Sequence, residues 1–494
     1  MNVVLVCHDG AKSQSSYHVL SIAEYLQARG HHCVVCIPPD ANSDFSQYRA
    51  TRVPTRDFEQ AFSEGLPFPS GEPSIVHCWT PREKVRQFTE ALCSRHGCPY
   101  VVHLEDNERE ILNRELDGIS YAALAALPAD QQDAHIPNPA IRIHPAHHWK
   151  FLQAAVGCTV LIERLKELVP AGTPTRLFWP GFDDCFAEKA PGEKQELRRQ
   201  LGIPAEQFVV LYSGAFHGIN QDEITRMVTA MKVLVNRGMP LTFVKTGQND
   251  LPDLLSQGVA RGWIRDLGFL QRERMPDVYR MADALVQPGR CDAFNAYRFP
   301  SKLPEALFQG IPVILPRCNL GLVLADGVEA LVTDDDSMER LIGKLVYLYR
   351  NPTERVRIGG NGRAFCIEHL SWRKAAMVIE SFYEECLSAA VRPTPPPSAQ
   401  AGESLSPAAS AAGTSDRQPD LGEPIGPRDL FQLFLEEQSL RGKGSVLATG
   451  RLPQQADFSP VLQRAQRKLR KYKTLYHIQL LVILVLLWVL WRYA

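Results

Sequence analysis

The feature that most constrains this chain is the wholly apolar run Val3-Val4-Leu5-Val6-Cys7 at its start. It is too short to span a bilayer, and a strand apolar at every position needs cover on both faces, as in a parallel sheet. A polar loop over 8–15 follows, then a stretch over 16–28 with Val19, Ile22, Ala23 and Leu26 on one helical face. Gly30 in Arg29-Gly30-His31 suits the left-handed residue that ends a helix. A strand over 33–37 completes a βαβ opening. Further strands are expected over 74–77, 100–104 and 159–162, with helices over 82–94 and 149–155. Residues 112–148, rich in His, Pro and Ala, read as an irregular insertion.

A polar stretch over 182–195, with Asp183, Asp184, Glu188, Lys189, Pro191 and Gly192, marks a boundary. A second series follows: strands over 208–212, 241–246, 264–266, 284–287 and 312–315, and helices over 250–261, 275–281 and 303–308. Two alternating β/α blocks imply an α/β protein of two Rossmann-like parallel-sheet domains facing a cleft. In such sheets ligands bind beyond the carboxyl ends of the strands, so the cleft is the expected site. A length of 494 residues suits two domains and an extension. The expected division is 1–190 (acceptor side), 191–370 (nucleotide side), 371–390 (a crossing helix), 391–428 (a linker), 429–473 (short helices and a basic segment) and 474–494 (a membrane anchor).

A net charge of −1 provides no global field for nucleic acid, and none is expected as a partner. The 12 cysteines fall largely in apolar runs and read as reduced core thiols. Cys33 and Cys36 match C-x-x-C, but on a strand residues three apart point to opposite faces. Met1-Asn2 leads directly into the first strand with no basic leader or cleavage pattern, so the large domains are expected in the cytoplasm. Residues 392–428 are dense in Pro, Ser, Ala, Gly and Thr and read as a linker. Arg464, Arg467, Lys468, Arg470, Lys471 and Lys473 then precede an almost wholly apolar run over 475–491. As a helix it would be about 25 Å long, slightly short of a hydrocarbon core. Trp488, Trp491 and Tyr493 suit an interfacial belt, and the basic cluster predicts that its own side faces the cytoplasm. Spanning is favoured over lying in the interface.

The densest chemistry lies in 282–316, ADALVQPGRCDAFNAYRFPSKLPEALFQGIPVILP, which reads as strand, polar loop, helix, glycine stop and strand. A loop opening at the carboxyl end of a buried strand is where a ligand belongs. Free N–H groups at the start of the helix near Ser301 suit a diphosphate, with Arg298 and Lys302 adding positive charge. Glu305, one turn on, offers a bidentate acceptor for the vicinal hydroxyls of a ribose.

This block resembles the C-terminal domain of retaining glycosyltransferases of family 4, which have the GT-B fold. The resemblance rests on Gly268-Phe269-Leu270, on Met275-Pro-Asp-Val-Tyr-Arg-Met-Ala-Asp-Ala284, and on Arg298-Phe-Pro-Ser-Lys-Leu-Pro-Glu-Ala-Leu307 with Gly310-Ile-Pro-Val313. The last matches a subgroup with Phe-Pro-Ser-Lys in this loop. It extends over roughly 1–390 through Trp179-Pro-Gly-Phe-Asp183 and Ser371-Trp372, and does not include 391–494. It implies that Glu305, the second acid of the family's E-x7-E pair, holds the donor ribose. The first position is Tyr297, which is not acidic, so Asp292 or Asn295 would stand in near the donor sugar. In Ser213-Gly214-Ala215-Phe216-His217-Gly218-Ile219-Asn220 the family's Arg and Lys are absent. Gly214 and His217 remain, and Lys245, Arg298 and Lys302 would supply charge. His103, ending a buried strand, would touch the donor sugar, and Asp106 or Glu105 would orient the acceptor hydroxyl. His144, His147 and His148 lack clear carboxylate or cysteine partners, and no metal or other cofactor is expected.

The implied activity is transfer of a sugar, with retained configuration, from a nucleotide-sugar to a lipid-linked or polysaccharide acceptor at a membrane. Two other readings remain: a nucleotide-sugar epimerase on the same fold, which would isomerise donor alone, and a non-catalytic nucleotide-binding scaffold, which would work without Glu305.

Overall fold

The computed structural model describes residues 1–10, 13–39, 51–182, 186, 194–217, 220–335 and 337–391. The linker, the basic cluster, the apolar run over 475–491, most of the boundary over 182–195 and two residues of the polar loop over 8–15 lie outside them. Among the described residues no helix is long and apolar enough to cross a membrane.

The first seven strands are β1 (Asn2–Cys7), β2 (His32–Ile37), β3 (Thr55–Asp57), β4 (Ile75–Trp79), β5 (Tyr100–Leu104), β6 (Gly157–Val160) and β7 (Thr175–Leu177). They form one parallel sheet in the order β3-β2-β1-β4-β5-β6-β7. The second sheet contains β8 (Phe208–Ser213), β9 (Leu241–Thr246), β10 (Ile264–Asp266), β11 (Ala284–Val286), β12 (Val313–Pro316) and β13 (Leu331–Thr333). It is also parallel, in the order β10-β9-β8-β11-β12-β13. The order reverses between β1 and β4 and again between β8 and β11. These are the switch points where adjacent crossover helices diverge and leave a crevice. Central strands β1, β4, β5 and β8 are buried throughout or nearly so, as their unbroken apolar runs require.

Residues 112–148 are not an irregular insertion. Short helices at Glu108–Glu115, Tyr121–Ala125 and Ala129–Gln132 gather around Leu112, Leu124, Ile136 and Ile143, a small core of their own. The Pro and Ala content obscured the pattern because each helix is too short to show a full amphipathic repeat. The helix Gln221–Asn236, absent from the sequence reading, buries Ile224, Met227, Val228, Met231 and Leu234.

The helix Trp372–Val391 returns the chain from the second sheet to the first. Its Glu380 binds Arg29 at 2.5 Å and His31 at 2.7 Å, and its Tyr383 hydroxyl lies 2.7 Å from His77 Nδ1. Gly181, in the Trp-Pro-Gly-Phe segment, lies against the backbone of Ser371 and Trp372, so close that a Cβ there would fall 2.2 Å from Trp372 N. Cys33 and Cys36 are buried free thiols in β2, and burial pushes the Cys33 thiol up to about 12.

Candidate active site

The second sheet's switch point opens into a cavity of about 310 Å³ lined by Tyr212 and Ala215 after β8, Gln287 and Pro288 after β11, and Arg298 and Lys302 from the loop and helix beyond. Glu223, Asn295, His217 and Asn319 also line it.

Lys302 begins the helix Lys302–Phe308 and turns its ammonium across the face of the Tyr212 ring, 4.2 Å from the centroid. The same ammonium crosses Gly214, where a Cβ would sit 2.6 Å from Nζ. Gly214 has φ +154, a backbone state that disfavours side chains. Gly247 packs against Gly214 from the neighbouring loop, where a Cβ would fall 2.7 Å from Gly214 C. Among the described residues the Lys302 ammonium has no hydrogen-bond acceptor and no ion-pair carboxylate. Burial lowers its pKa to about 7, with the Arg298 charge adding to the shift and Glu305 opposing it. A cation so placed favours an incoming anion.

Arg298 reaches across to the first domain, where its Nε lies 3.1 Å from Asp106 Oδ1. Burial raises the Asp106 carboxyl to about 6 against the pull of Arg298, with Glu105 and Glu108 adding to the rise. The rest of the loop is fastened the same way. Asn107 Nδ2 donates to Ala293 O at 3.2 Å, Arg114 lies 3.4 Å from Asp292, and the Tyr297 hydroxyl donates to Glu167 at 2.7 Å. Tyr297, standing where the family pattern has an acid, thus serves as a clasp between the domains.

The other expected residues are distributed unevenly. Asn295 and His217 reach the cavity, His217 with Nδ1 2.9 Å from Asp250. Asp292 is turned into its own loop, accepting from the backbone of Phe294 and Asn295 at 3.0 and 2.8 Å, which suits a turn residue. Lys245 is not brought to the cavity. It is fully buried at the end of β9, donating to Gly247 O at 2.5 Å and paired with Asp266 at 3.2 Å. The Glu305 carboxylate also lies outside this lining, ion-paired with Arg272 and accepting from Tyr279 Oη at 2.9 Å. A ribose would have to replace or share those partners.

His103 stands inside the first domain's sheet, outside the lining of this cavity. Its register places it between Trp79 of β4 and Thr159 of β6. The ring has no exposed surface, packs on Trp79 and Phe178, and has Nδ1 2.8 Å from Thr159 Oγ1. Burial pushes its pKa down to about 3, and among the described residues its Nε2 has no hydrogen-bond partner. The polar focus at that strand end is Glu105, which accepts from Ser15, from Trp79 Nε1 at 2.9 Å and from His18 Nδ1 at 3.0 Å. Burial alone would raise this carboxyl, but the His18 contact, with His103 and His8 behind it, holds it well below the usual range. The three histidines of the insertion are engaged locally: His144 near Asp133 at 3.4 Å, His147 near Glu83 at 3.2 Å, and His148 against His144 O.

Glu223 and Gln287 were missed. The helix that carries Glu223 was itself unread in the sequence, and nothing local signals that its first turn lines the cavity.

Comparison with known proteins bears on the family and the fold. Residues 207–351 match the family model for glycosyl transferases group 1. A D-inositol 3-phosphate glycosyltransferase from Rhodococcus erythropolis is 25% identical over 215 residues, 41% of this chain and 47% of that protein. The chain thus spans about half the length of the curated relatives it matches. Among solved structures, Anabaena HepE in complex with UDP-glucose aligns at a TM-score of 0.57 and 15% identity, covering 79% of this chain and 100% of that one. Sucrose-phosphate synthase from Thermosynechococcus elongatus aligns at 0.55 and 16%, with coverage of 79% and 100%. The chain therefore has the two-domain GT-B fold, and its second domain is a glycosyl transferases group 1 domain.

Proposed function

We propose that this chain is a retaining glycosyltransferase that moves a sugar from a nucleotide-sugar to a lipid-linked or polysaccharide acceptor at the cytoplasmic face of a membrane. The observation that carries the reading is the half-buried Lys302 ammonium, which lies over Tyr212 and Gly214 at the β8/β11 switch point and, among the described residues, has no carboxylate partner. A leaving diphosphate would occupy the space between Lys302 and Arg298, stabilised by preorganised charge with no metal or other cofactor. The UDP-glucose bound by the Anabaena neighbour and the glycosyltransferase name of the Rhodococcus relative support a sugar nucleotide as donor.

Asp106, beside Arg298, is the carboxylate suited to orienting an acceptor hydroxyl once a diphosphate draws Arg298 away. With donor and acceptor held in the cleft, the protein contributes position and electrostatic stabilisation to attack on the same sugar face. The basic cluster and the apolar run over 475–491 would hold the enzyme beside a membrane-borne acceptor, raising its effective concentration.

A thermal-shift screen of UDP-, GDP- and ADP-hexoses tests the donor reading, because a ligand that binds only the native state raises the melting midpoint. At least one should stabilise the wild type and fail to stabilise Lys302→Ala. No response to any donor would sink the proposal. The membrane half predicts that the full chain stays with the membrane fraction after alkaline carbonate extraction; recovery in the soluble fraction would refute it.

A further inference from the structure

Lys302 demands an anion, but another part of the same cavity demands the opposite. Glu223, in the first turn of the helix Gln221–Asn236, and Gln287, just after β11, both line it. Asn295 Nδ2 donates to Glu223 Oε1 at 2.6 Å, and among the described residues no donor meets Oε2. Gln287 donates one amide N–H to Pro288 O at 2.9 Å, and among the described residues its buried Oε1 has no hydrogen-bond partner. Among the described residues, then, two acceptors on side chains that line one cavity lack donors, one of them half-buried at Glu223 and one fully buried at Gln287, and a buried acceptor left unmet is destabilising. An ionised phosphate has no hydrogen to give and is repelled by a carboxylate. A hydroxyl donates to both, and a vicinal diol matches the two oxygens of a carboxylate. The cavity is thus divided, with phosphate chemistry at Lys302 and Arg298 and hydroxyl chemistry at Glu223 and Gln287.

We infer that Glu223 and Gln287 bind hydroxyl groups of the transferred sugar, and that Glu223 is the residue that selects the donor sugar. The assignment rests on the nucleotide-sugar reading. It gives the sugar a carboxylate in a chain whose Tyr297 is committed to Glu167 in the other domain. Asn295 holds Glu223 in place, which accounts for a loop asparagine bonded to a helix 72 residues away.

Calorimetric titration of the full chain separates the possibilities. The probes are UDP-, GDP- and ADP-hexoses and the matching free nucleoside diphosphates, measured on wild type, Glu223→Gln and Gln287→Met. The preferred sugar nucleotide should bind Glu223→Gln about ten- to a hundredfold more weakly, the loss of a hydrogen bond to a charged group. Its free diphosphate should bind wild type and variant within twofold. A donor analogue deoxygenated at the contacted position should bind both proteins equally. Gln287→Met, which adds no charge and keeps similar volume, should show the same pattern at smaller size and serves if Glu223→Gln fails to fold. Equal weakening of sugar nucleotide and free diphosphate, or no weakening of either, overturns the assignment while leaving the donor reading intact. A wild type that binds no probe at all defeats both.

Discussion

Two ionisable groups, each half-buried on its own domain, fare in opposite ways. Glu105, at the end of β5, is surrounded by Ser15, His18 and Trp79, all turned toward it. Lys302, after β11, has a ring face and a glycine beneath it and, among the described residues, no ion-paired carboxylate. Removing charge from water is costly unless partners replace the lost hydration. The first domain supplies those partners from its own chain, so Glu105 is architecture. The second leaves the requirement open, and an open requirement of that size marks the place of a ligand. The same contrast separates Lys245, closed by Gly247 and Asp266, from Lys302, although both are lysines near strand ends of one sheet.

The comparison breaks most visibly at Glu105. Glu105→Ala strands three donors in the interior and should lower the unfolding free energy by about 3–5 kcal/mol in urea titrations. Donor affinity of the protein that remains folded should stay within twofold; a stable variant that no longer binds donor would invert the roles of the two groups. Lys302→Met should do the reverse. Sugar-nucleotide affinity should fall about a hundredfold, or about 2.7 kcal/mol, while the melting midpoint holds or rises, since an apolar side chain replaces a buried ammonium.

The pH dependence sharpens the same point. A diphosphate binds the charged form of Lys302, so donor affinity should be complete below the apo value of about 7 and weaken as pH rises through it. A loss of about tenfold between pH 7 and 8.5 is expected in titrations of the wild type, and Lys302→Arg should flatten it. The apoprotein should move the other way. The unfolded chain holds this proton up to the ordinary lysine value of 10.5, so stability should rise with pH between about 7 and there.

The smallest effect concerns the bridge between the domains. Asp106→Asn should keep donor affinity within threefold and cut turnover about tenfold. The wild type should lose activity as pH falls through about 6, where Asp106 takes a proton, and the variant should lack that acid limb. An unchanged rate profile would reduce Asp106 to a partner of Arg298.

Much of this architecture is visible in the linear chain because its causes are local. The strands Tyr100–Leu104, Leu241–Thr246 and Ile264–Asp266 and the helix Met275–Met281 lie where apolar runs and periodicity put them. Strands β3, β7 and β13 escaped; each is a three-residue strand at the edge of its sheet. The cavity was legible in part. Lys302, Arg298, Asn295 and His217 stand in it, while His103, Lys245 and Glu305 have ionic, hydrogen-bonding or packing partners elsewhere that no spacing rule reveals.

The sequence alone determined that two parallel sheets form and that the loop after β11 carries the polar chemistry, because hydrophobic periodicity and turn residues act between near neighbours. Only the tertiary structure decided which charges are satisfied. Asp106 meets Arg298 across 192 positions of sequence and Asn295 meets Glu223 across 72. Whether a polar group is spent or available depends on what the fold brings within about 3 Å of it.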